Sequence, residues 1–245
     1  MMVQRLKRFT LAALVAVSVV GCSSTGGERD ERDPFEGFNR AMYSFNDGLD
    51  RAIIKPVAEG YRAVTPEPVD RGVTNFFSNL RDVNSAANNA LQFKLGRASS
   101  DIFRFVINST VGVFGFIDVA SHLHLEKYDE DFGQTLGYWG VGPGPYLVLP
   151  VFGPRNIRDT VGLVVDWRMD PVAYVEPDEW RYGLYILRAI DMRADLLGAS
   201  SVLEEAALDE YTFVRDAYLQ KRRNDVHDGN LPQEESAGDD IPSDW

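Results

Sequence analysis

Residues 65–91 read TPEPVDRGVTNFFSNLRDVNSAANNAL, and this stretch decides the fold class. Its two prolines suit the first turn of a helix, where a backbone N–H has no partner within the helix. Apolar side chains then recur at the 3.6-residue spacing of one helix face. The stretch therefore predicts a long amphipathic helix. Its apolar stripe consists of Val69, Val73, Phe76, Phe77, Leu80, Val83, Ala87 and Leu91.

Three further stretches outside this helix also have helical character. Residues 97–107 are apolar around most of the helix circumference, whereas 177–197 and 208–223 form a second long pair. Strands do not alternate with these helices, which argues against a parallel α/β sheet. With 245 residues, of which 44% are hydrophobic, the chain suits one domain with a substantial core. The sequence predicts a mainly α protein.

Two segments differ from the core of an ordinary water-soluble protein. Residues 111–117, VGVFGFI, are apolar on every side, and 132–154 are rich in glycine, proline and aromatic residues. Rings such as Tyr138, Trp139 and Tyr146 are common at membrane interfaces. A packed irregular loop that crosses the core is the alternative. Neither segment is long enough to predict a transmembrane span.

The N-terminus has the order of a secretory signal. Basic residues precede an apolar run at 9–20, which is shorter than the roughly 20 residues that span a bilayer. The run ends in Val-Val-Gly-Cys22, which resembles the lipobox of bacterial lipoproteins. That resemblance implies cleavage after residue 21 and acylation of Cys22, including palmitate. It predicts a signal peptide at 1–21 and an acylated, flexible tether at 22–32.

Charge and cysteine content exclude several classes of protein. The net charge of −12 disfavours nucleic acid as a partner. Residues 224–245 contain acidic side chains but no Lys or Arg, so we expect a disordered, solvated tail after a body at 33–223. A single cysteine cannot form a disulfide within the chain or a multi-cysteine metal site.

The sequence offers no arrangement for bond chemistry. A Gly-x-Ser-x-Gly elbow is absent, which removes the commonest signal of a lipid esterase. His122 and His124 lack an HExxH pattern. A metal site that they form with Glu126, Asp129 or Asp131 is an alternative, but a surface loop is the preferred interpretation. We therefore predict no catalytic residues, metal or cofactor.

Several motifs together resemble one family. They are DPFEGFNRAMYSFN at 33–46, KPVAEGYR at 55–62, NFFSNL at 75–80, GFIDVA at 115–120, FGQTLGYWGVGPGPYLVLPVFGPRNIRD at 132–159 and FVRDAYLQKR at 213–222. The chain resembles the MlaA family, also called VacJ lipoproteins. This resemblance implies a ring-shaped helical body in the inner leaflet of the outer membrane, anchored by lipid and facing the periplasm. It also implies association with a trimeric porin.

The resemblance further implies a transport function. Members of the family take mislocalised phospholipid from the outer leaflet through a central channel and pass it to a periplasmic lipid carrier, which maintains lipid asymmetry. A structural, porin-associated lipoprotein without transport activity is the alternative. A lipid hydrolase is a third hypothesis, against which the missing elbow motif argues.

Two segments supply the candidate channel or gating residues. In the opening motif, polar and aromatic side chains either line the path or, alternatively, cap helices while Phe38, Met42 and Phe45 pack inward. In the segment 137–154, glycines permit gating or close backbone approach, so we expect this segment to shape the pore wall. The candidates are Asn39, Arg40, Phe45, Asn46, Gly137, Tyr138, Gly140, Gly142, Gly144 and Tyr146.

Overall fold

The computed structural model describes residues 30–231, with the backbone alone for 201–206. Over this range the chain is mainly helical, which confirms the predicted fold class. The signal peptide, Cys22 and most of the tether lie outside the described residues, as does the chain beyond 231. The elements are α1 (Glu36–Leu49), α2 (Lys55–Val64), α3 (Glu67–Leu91), α4 (Leu95–Thr110), α5 (Val119–His122), α6 (Phe132–Tyr138), β1 (Tyr146–Leu149), β2 (Gly153–Asn156), α7 (Ile157–Met169), α8 (Asp178–Ala206) and α9 (Glu210–Val226).

The longest helix–helix contact joins α3 and α4. Helix α3 begins after Pro66 in extended conformation and has Pro68 in its first turn, as the sequence predicts. It ends at a tight turn in which Phe93 adopts a positive φ of 60°. Helix α4 then returns along α3, and their packing is more extensive than that of any other described pair of helices.

The remaining helices surround this pair. A π-helical turn, Asp50–Ile54, joins α1 to α2 without a break in the chain direction, and α2 packs on α8. Helices α6 and α7 cross where two glycines meet, because a Cβ on Gly162 would lie 2.5 Å from the backbone nitrogen of Gly133. A 3₁₀ turn, Pro171–Tyr174, links α7 to α8. In the described part of the chain, no helix is both long and apolar enough to cross a bilayer.

The glycine- and proline-rich segment is more regular than the irregular structure expected. Its first part forms α6, and its second part forms an antiparallel hairpin in which Tyr146 pairs with Asn156 and Leu149 with Gly153. Asp131 starts α6 because its side chain accepts a hydrogen bond from the Gln134 N–H. The stretch that remains irregular is the connection between α6 and β1.

The folded body also extends past both expected borders. At the front, Asp30 forms an ion pair with Arg215 at 3.1 Å, and Asp33 is buried. At the back, α9 continues to Val226, and Asp228 lies 2.6 Å from the Lys94 ammonium. The expectation of a disordered tail from 224 is therefore wrong for 224–231. These charged residues are ordered because they pair with buried or half-buried partners rather than with water.

Candidate functional site

Helix α3 buries polar side chains and exposes part of its apolar stripe. Val69 and Leu91 of the predicted stripe are 52% and 38% exposed, whereas Phe77 is buried. An amphipathic helix of a water-soluble protein normally turns its apolar face toward the core. Here the buried set is mostly small or polar: Gly72, Phe77, Asn79, Asp82, Ser85, Ala86, Asn88 and Asn89. We refer to α3, α4 and residues 111–131 as the inverted helix pair.

Arg104 occupies the interior of the inverted helix pair. Its side chain is 2% exposed, and its guanidinium donates to both carboxylate oxygens of Asp118, at 3.0 and 3.1 Å. The Nε atom lies 3.4 Å from a carboxylate oxygen of Asp82, whose other oxygen is 2.9 Å from the Lys127 ammonium. Buried charges are tolerated only when they are paired. The interior of this pair is thus a compensated ionic network.

The carboxylates of this network have different proton affinities. Burial opposes ionisation of Asp118, but hydrogen bonds from Ser121, Asn108 and Arg104 outweigh it and lower the pKa to about 2. Burial dominates at Asp101 and raises its pKa to about 7. Asp118 therefore stays ionised beside its arginine, whereas Asp101 titrates near neutral pH.

Large apolar side chains cover the outside of the inverted helix pair. The segment 111–117 carries Val113 and Phe114 at positive φ values of 52° and 58°, which bulky residues rarely adopt. Such strain costs on the order of 1 kcal/mol or more per residue and here keeps apolar side chains outside the body. The exposed set comprises Ile102, Phe103, Val106, Val111, Val113, Phe114, Phe116 and Ile117.

The region around α1, the hairpin and α9 differs in that its interior contains a group of aromatic rings. Tyr211 is buried, and its ring lies 5.8 Å from that of Tyr43 and 6.3 Å from that of Tyr146, which in turn lies 6.0 Å from Tyr218. We call these four residues the tyrosine cluster. Helix α9 buries Tyr211 of this cluster together with Arg215 and Arg222, and apart from Phe213 its large exposed side chains are polar. The exposed residues include Gln220, Lys221, Arg223 and Asn224.

Two asparagines of α1 hold the hairpin. The amide of Asn39 donates to the Tyr146 carbonyl at 3.1 Å and accepts from the Val148 N–H at 2.8 Å. About two helical turns further along α1, Asn46 donates to the Leu149 carbonyl at 2.9 Å and accepts from the Val151 N–H at 2.7 Å. Each side chain thus satisfies one donor and one acceptor of the hairpin, as a neighbouring strand would. We call this pair the asparagine clamp.

Arg222 of α9 ties the two ends of the glycine-rich segment together. Its guanidinium forms bidentate contacts with Asp159, at 2.7 and 3.0 Å, and with Asp131, at 2.7 and 2.9 Å. Asp131 caps α6, and Asp159 lies in the first turn of α7. Such charge-assisted, bidentate contacts fix geometry strongly. The ends of the segment are therefore rigid, while the connection between them is exposed.

The predicted glycines fall into two groups. Gly137 packs tightly, since a Cβ there would lie 2.8 Å from the Arg158 guanidinium and 2.8 Å from the Val226 side chain. Gly140 and Gly144 adopt positive φ values of 88° and 66° in the exposed connection, and Gly142 lies in open space without such a φ. Conformational freedom is therefore required at Gly140 and Gly144, whereas close approach is required at Gly137.

The other predicted residues are only partly brought together. Asn39, Asn46 and Tyr146 meet at the clamp, where Asn39 and Tyr146 are fully buried. Arg40 lies over the Tyr211 ring at 4.3 Å and pairs with Asp209. Tyr138 and Phe45 are exposed, at 48% and 51%, so Phe45 does not pack inward as the structural interpretation expected. That interpretation is also incomplete, because the asparagines clamp a hairpin and do not cap helices.

Sequence reasoning did not single out the buried charges as site residues. Arg104, Asp82 and Arg222 are all at least nine-tenths buried, yet each looks like an ordinary surface residue in its local sequence. One signal was present, namely the run of small polar residues opposite the apolar stripe of α3. Such a face is too uncharged for a typical solvated surface, and it packs around the buried ions.

The segment that contains the two predicted histidines lies at the surface. His122 and His124 are exposed at the end of α5, where His124 adopts a positive φ of 60°. Among residues 30–231, no three His, Cys, Asp or Glu side chains are grouped in a way that holds a metal ion. The surface-loop interpretation agrees with this placement.

Comparison with known proteins covers nearly all of the described body. Residues 31–225 match the sequence profile of the family described as "MlaA lipoprotein". The Shigella flexneri protein "Intermembrane phospholipid transport system lipoprotein MlaA" is 38% identical over 233 residues, which is 93% of this chain and 92% of the relative. The Escherichia coli (strain K12) protein of that name is 37% identical over 235 residues, with the same coverage, 93% and 92%.

A solved structure is also similar. It is described as "Structural basis for maintenance of bacterial outer membrane lipid asymmetry", shares 36% sequence identity and superposes with a TM-score of 0.71. The match covers 81% of this chain and 100% of that chain. Fold and sequence therefore point to the same relatives.

Proposed function

The chain belongs to the MlaA lipoprotein family, and we propose that it is an outer-membrane lipoprotein that transports phospholipid. The relatives named for intermembrane phospholipid transport match it over nearly their whole length. The solved neighbour concerns the maintenance of outer-membrane lipid asymmetry. In our proposal this chain removes mislocalised phospholipid from the outer leaflet, and so maintains asymmetry, without making or breaking bonds.

The observation that carries the proposal is the inverted burial of α3 and α4. Charged side chains such as Arg104 lie inside, and apolar ones such as Phe103 and Phe114 lie outside. Lipid tails cannot satisfy polar groups, so a body in hydrocarbon must pair its charges internally. Exposed apolar surface of this kind also marks membrane contact. We infer that this part of the body lies in the inner leaflet, to which acylated Cys22 anchors the chain.

The proposed transport step follows from the cost of moving a headgroup. A phospholipid that crosses hydrocarbon unaided loses the hydrogen bonds and charge solvation of its headgroup, which costs many kcal/mol. A ring-shaped body offers the headgroup a polar central channel while the acyl chains remain near lipid. Residues 137–154 shape the wall of that channel, since both ends are fixed by Arg222 and the clamp while the connection is exposed.

Partners complete the proposal. Helix α9 of the tyrosine cluster exposes mostly polar residues, so in our proposal it faces the periplasm, where a lipid carrier protein receives the phospholipid. The apolar exterior suits a trimeric porin beside the lipid. No nucleotide site is needed if phospholipid moves down its own gradient through this component.

The proposal is tested in a strain that lacks the protein. We expect phospholipid to accumulate in the outer leaflet of that strain, measured by its access to external phospholipase. The wild-type gene should restore asymmetry, whereas a Cys22→Ala variant should not. Persistent asymmetry in the deletion strain, in the absence of any related gene, would contradict the proposal.

A structural, porin-associated lipoprotein is the second candidate, because the same apolar exterior suits a porin surface. Site-specific photocrosslinking at positions 138 to 146 separates the two candidates. Transport predicts crosslinks to phospholipid, and bracing alone predicts crosslinks to porin only. The hydrolase hypothesis predicts that purified protein releases fatty acid or lysolipid from phospholipid, whereas transport predicts that neither is released.

A further inference from the structure

A small polar cavity lies between α2, α3 and α8, away from the glycine-rich segment. Its volume is about 110 Å³, and it is lined by Arg62, Asp70, Ala194 and Asp195. Liquid water occupies about 30 Å³ per molecule, so the cavity has room for a small polar group. Ala194 is buried, and its short side chain contributes to that room. Both signs of charge therefore meet around an enclosed space.

The cavity contains an excess of negative charge and an unsatisfied acceptor. One carboxylate oxygen of Asp70, Oδ1, is buried and accepts no hydrogen bond from any described residue. One helical turn before Asp195, the buried carboxylate of Asp191 accepts hydrogen bonds from the hydroxyls of Tyr61 and Thr74. Arg62 is the cation that lines the cavity beside two carboxylates. A buried oxygen without a donor is unfavourable, so this site favours a cationic donor.

We propose that this cavity binds the zwitterionic headgroup of a phospholipid that carries a primary ammonium. The ammonium enters the cavity and donates to Asp70 and Asp195, while Arg62 contacts the phosphate. A guanidinium matches phosphate oxygens, and an ammonium supplies a donor to the Oδ1 atom of Asp70. The proposal rests on the proposed transport of phospholipid and specifies its substrate class as phosphatidylethanolamine-like.

The surroundings agree with a lipid as the source of that headgroup. Val64 follows Arg62 on α2 and is 80% exposed, and Leu196 follows Asp195 on α8 and is 54% exposed. A polar cavity whose flanking helices expose apolar side chains can hold a headgroup while the acyl chains remain on the apolar surface. A trimethylammonium has no N–H to donate, and a glycerol headgroup has no positive charge. The cavity therefore discriminates among headgroups by charge and by hydrogen bonding.

The test compares three lipids on the acylated full-length protein in lipid discs. Bound lipid is quantified by native mass spectrometry with phosphatidylethanolamine, phosphatidylcholine and phosphatidylglycerol of identical acyl chains. We expect at least a tenfold preference for phosphatidylethanolamine. Soluble phosphoethanolamine is added as a competitor, and weak competition shows that the intact lipid is the ligand. Equal binding of the three lipids to the wild-type protein would overturn the proposal without any variant.

Two variants and a control locate the preference. Asp70→Asn and Asp195→Asn retain the side-chain shape but remove a charge, so each should reduce the preference at least fivefold. Asp178→Asn, on the same helix as Asp195 but exposed and outside the cavity, should leave the preference unchanged. An unchanged preference in both cavity variants would place the discrimination elsewhere and refute the assignment. Lipid asymmetry in cells is measured separately, because persistent asymmetry in the deletion strain would refute the transport function whatever the binding result.

Discussion

The inverted helix pair and the tyrosine cluster differ in what they expose and in whether aromatic rings fill their interior. In the pair, Arg104 and Asp82 lie inside and Phe114 lies outside, whereas α9 buries aromatic rings together with Arg215 and Arg222 and exposes mostly polar residues. Apolar burial drives folding only where the alternative is water. The contrast supports our proposal that two solvents surround the molecule, hydrocarbon around α3 and α4 and water around α9. Five predictions test this division between a region that faces lipid and a region that faces water.

The largest effect is expected inside the inverted helix pair. Arg104→Ala removes the cation that pairs with Asp118 and leaves the buried Asp82 with Lys127 alone, which should lower the free energy of unfolding by about 3–5 kcal/mol. Arg71→Ala on α3 is the control, because Arg71 forms an exposed ion pair with Glu67 and should contribute less than about 1 kcal/mol. Denaturant unfolding in lipid discs measures both. Similar losses in the two variants would show that the interior network is not what stabilises the pair.

An exposed phenylalanine from each region tests the division directly. Phe114 is 75% exposed on the inverted helix pair, and Phe213 is 55% exposed on α9. An aspartate at the bilayer centre costs about 2.5–3.5 kcal/mol, and less near the surface. Phe114→Asp should therefore destabilise the protein in lipid discs by roughly 2 kcal/mol, although aspartate tolerates a positive φ better than phenylalanine.

The matched substitution Phe213→Asp should change stability by less than about 0.5 kcal/mol, since its side chain already faces water. The two variants are compared at one protein concentration and in discs of one lipid composition. If Phe213→Asp proved as harmful as Phe114→Asp, α9 would also lie in hydrocarbon and the division would be wrong.

The asparagine clamp joins α1 to the glycine-rich segment. Its loss is expected to lower the free energy of unfolding by less than the loss of Arg104. Asn39→Ala leaves the Val148 N–H and the Tyr146 carbonyl buried without partners, which should cost about 2 kcal/mol. Asn46 is only half-buried, so water can replace its contacts in Asn46→Ala, and about 1 kcal/mol is expected. Amide hydrogen exchange at Val148 and Val151 reports each contact. Faster exchange should be confined to the amide that the substituted asparagine holds.

A substitution in the exposed connection between α6 and β1 should change stability less, but it should also change phospholipid transport. Gly144→Ala forces an alanine to a φ of 66° and places its Cβ 3.2 Å from Ile157, which should cost about 1 kcal/mol and stiffen or shift the segment. We expect outer-leaflet phospholipid to change while protein abundance stays normal. Gly229→Ala is the control, because Gly229 also has a positive φ, 79°, with open space around it but lies outside the segment, so lipid asymmetry should stay as in wild type. Unaltered asymmetry in a stable Gly144→Ala variant would count against a role for this segment.

The helical fold class could be predicted from local sequence patterns, but the division between lipid-facing and water-facing regions could not. Prolines and 3.6-residue spacing fix where α3 begins and that it is helical, because both act within a few residues. The spacing is the same whether the apolar stripe faces a core or faces lipid. Which face is buried depends on the solvent, and the buried ions of Asp82 and Arg104 support the proposal that the apolar stripe faces lipid.

The candidate site was predictable only where neighbours in sequence act together. The opening motif drew attention to Asn39 and Asn46, yet their partners lie more than a hundred residues away in the hairpin. Strands of four residues between glycines and prolines carry too weak a local signal to be recognised. Arg222 likewise acts through Asp131 and Asp159, which adjoin it only in the folded chain.

The smallest effect on the free energy of unfolding is expected from the surface ion pair of Arg40 and Asp209, in the region that we propose faces water. The hydrogen bond from Arg40 lowers the pKa of Asp209 well below its usual range, so the folded state holds the proton less tightly than the unfolded state. The resulting stability is present above about pH 4 and is lost as the pH falls toward the folded pKa. Both side chains are more than two-fifths exposed, at 42% and 45%, so solvent screening keeps the contribution below about 1 kcal/mol.

Asp209→Asn isolates this charge, because asparagine also caps α9 through the Thr212 N–H. The free energy of unfolding of wild type and variant should differ slightly at pH 7 and converge as the pH approaches 2. A pair in hydrocarbon would behave differently, since its loss would cost several kcal/mol and resist screening by salt. A large, salt-independent difference would therefore place α9 in lipid and reverse the orientation proposed for the molecule.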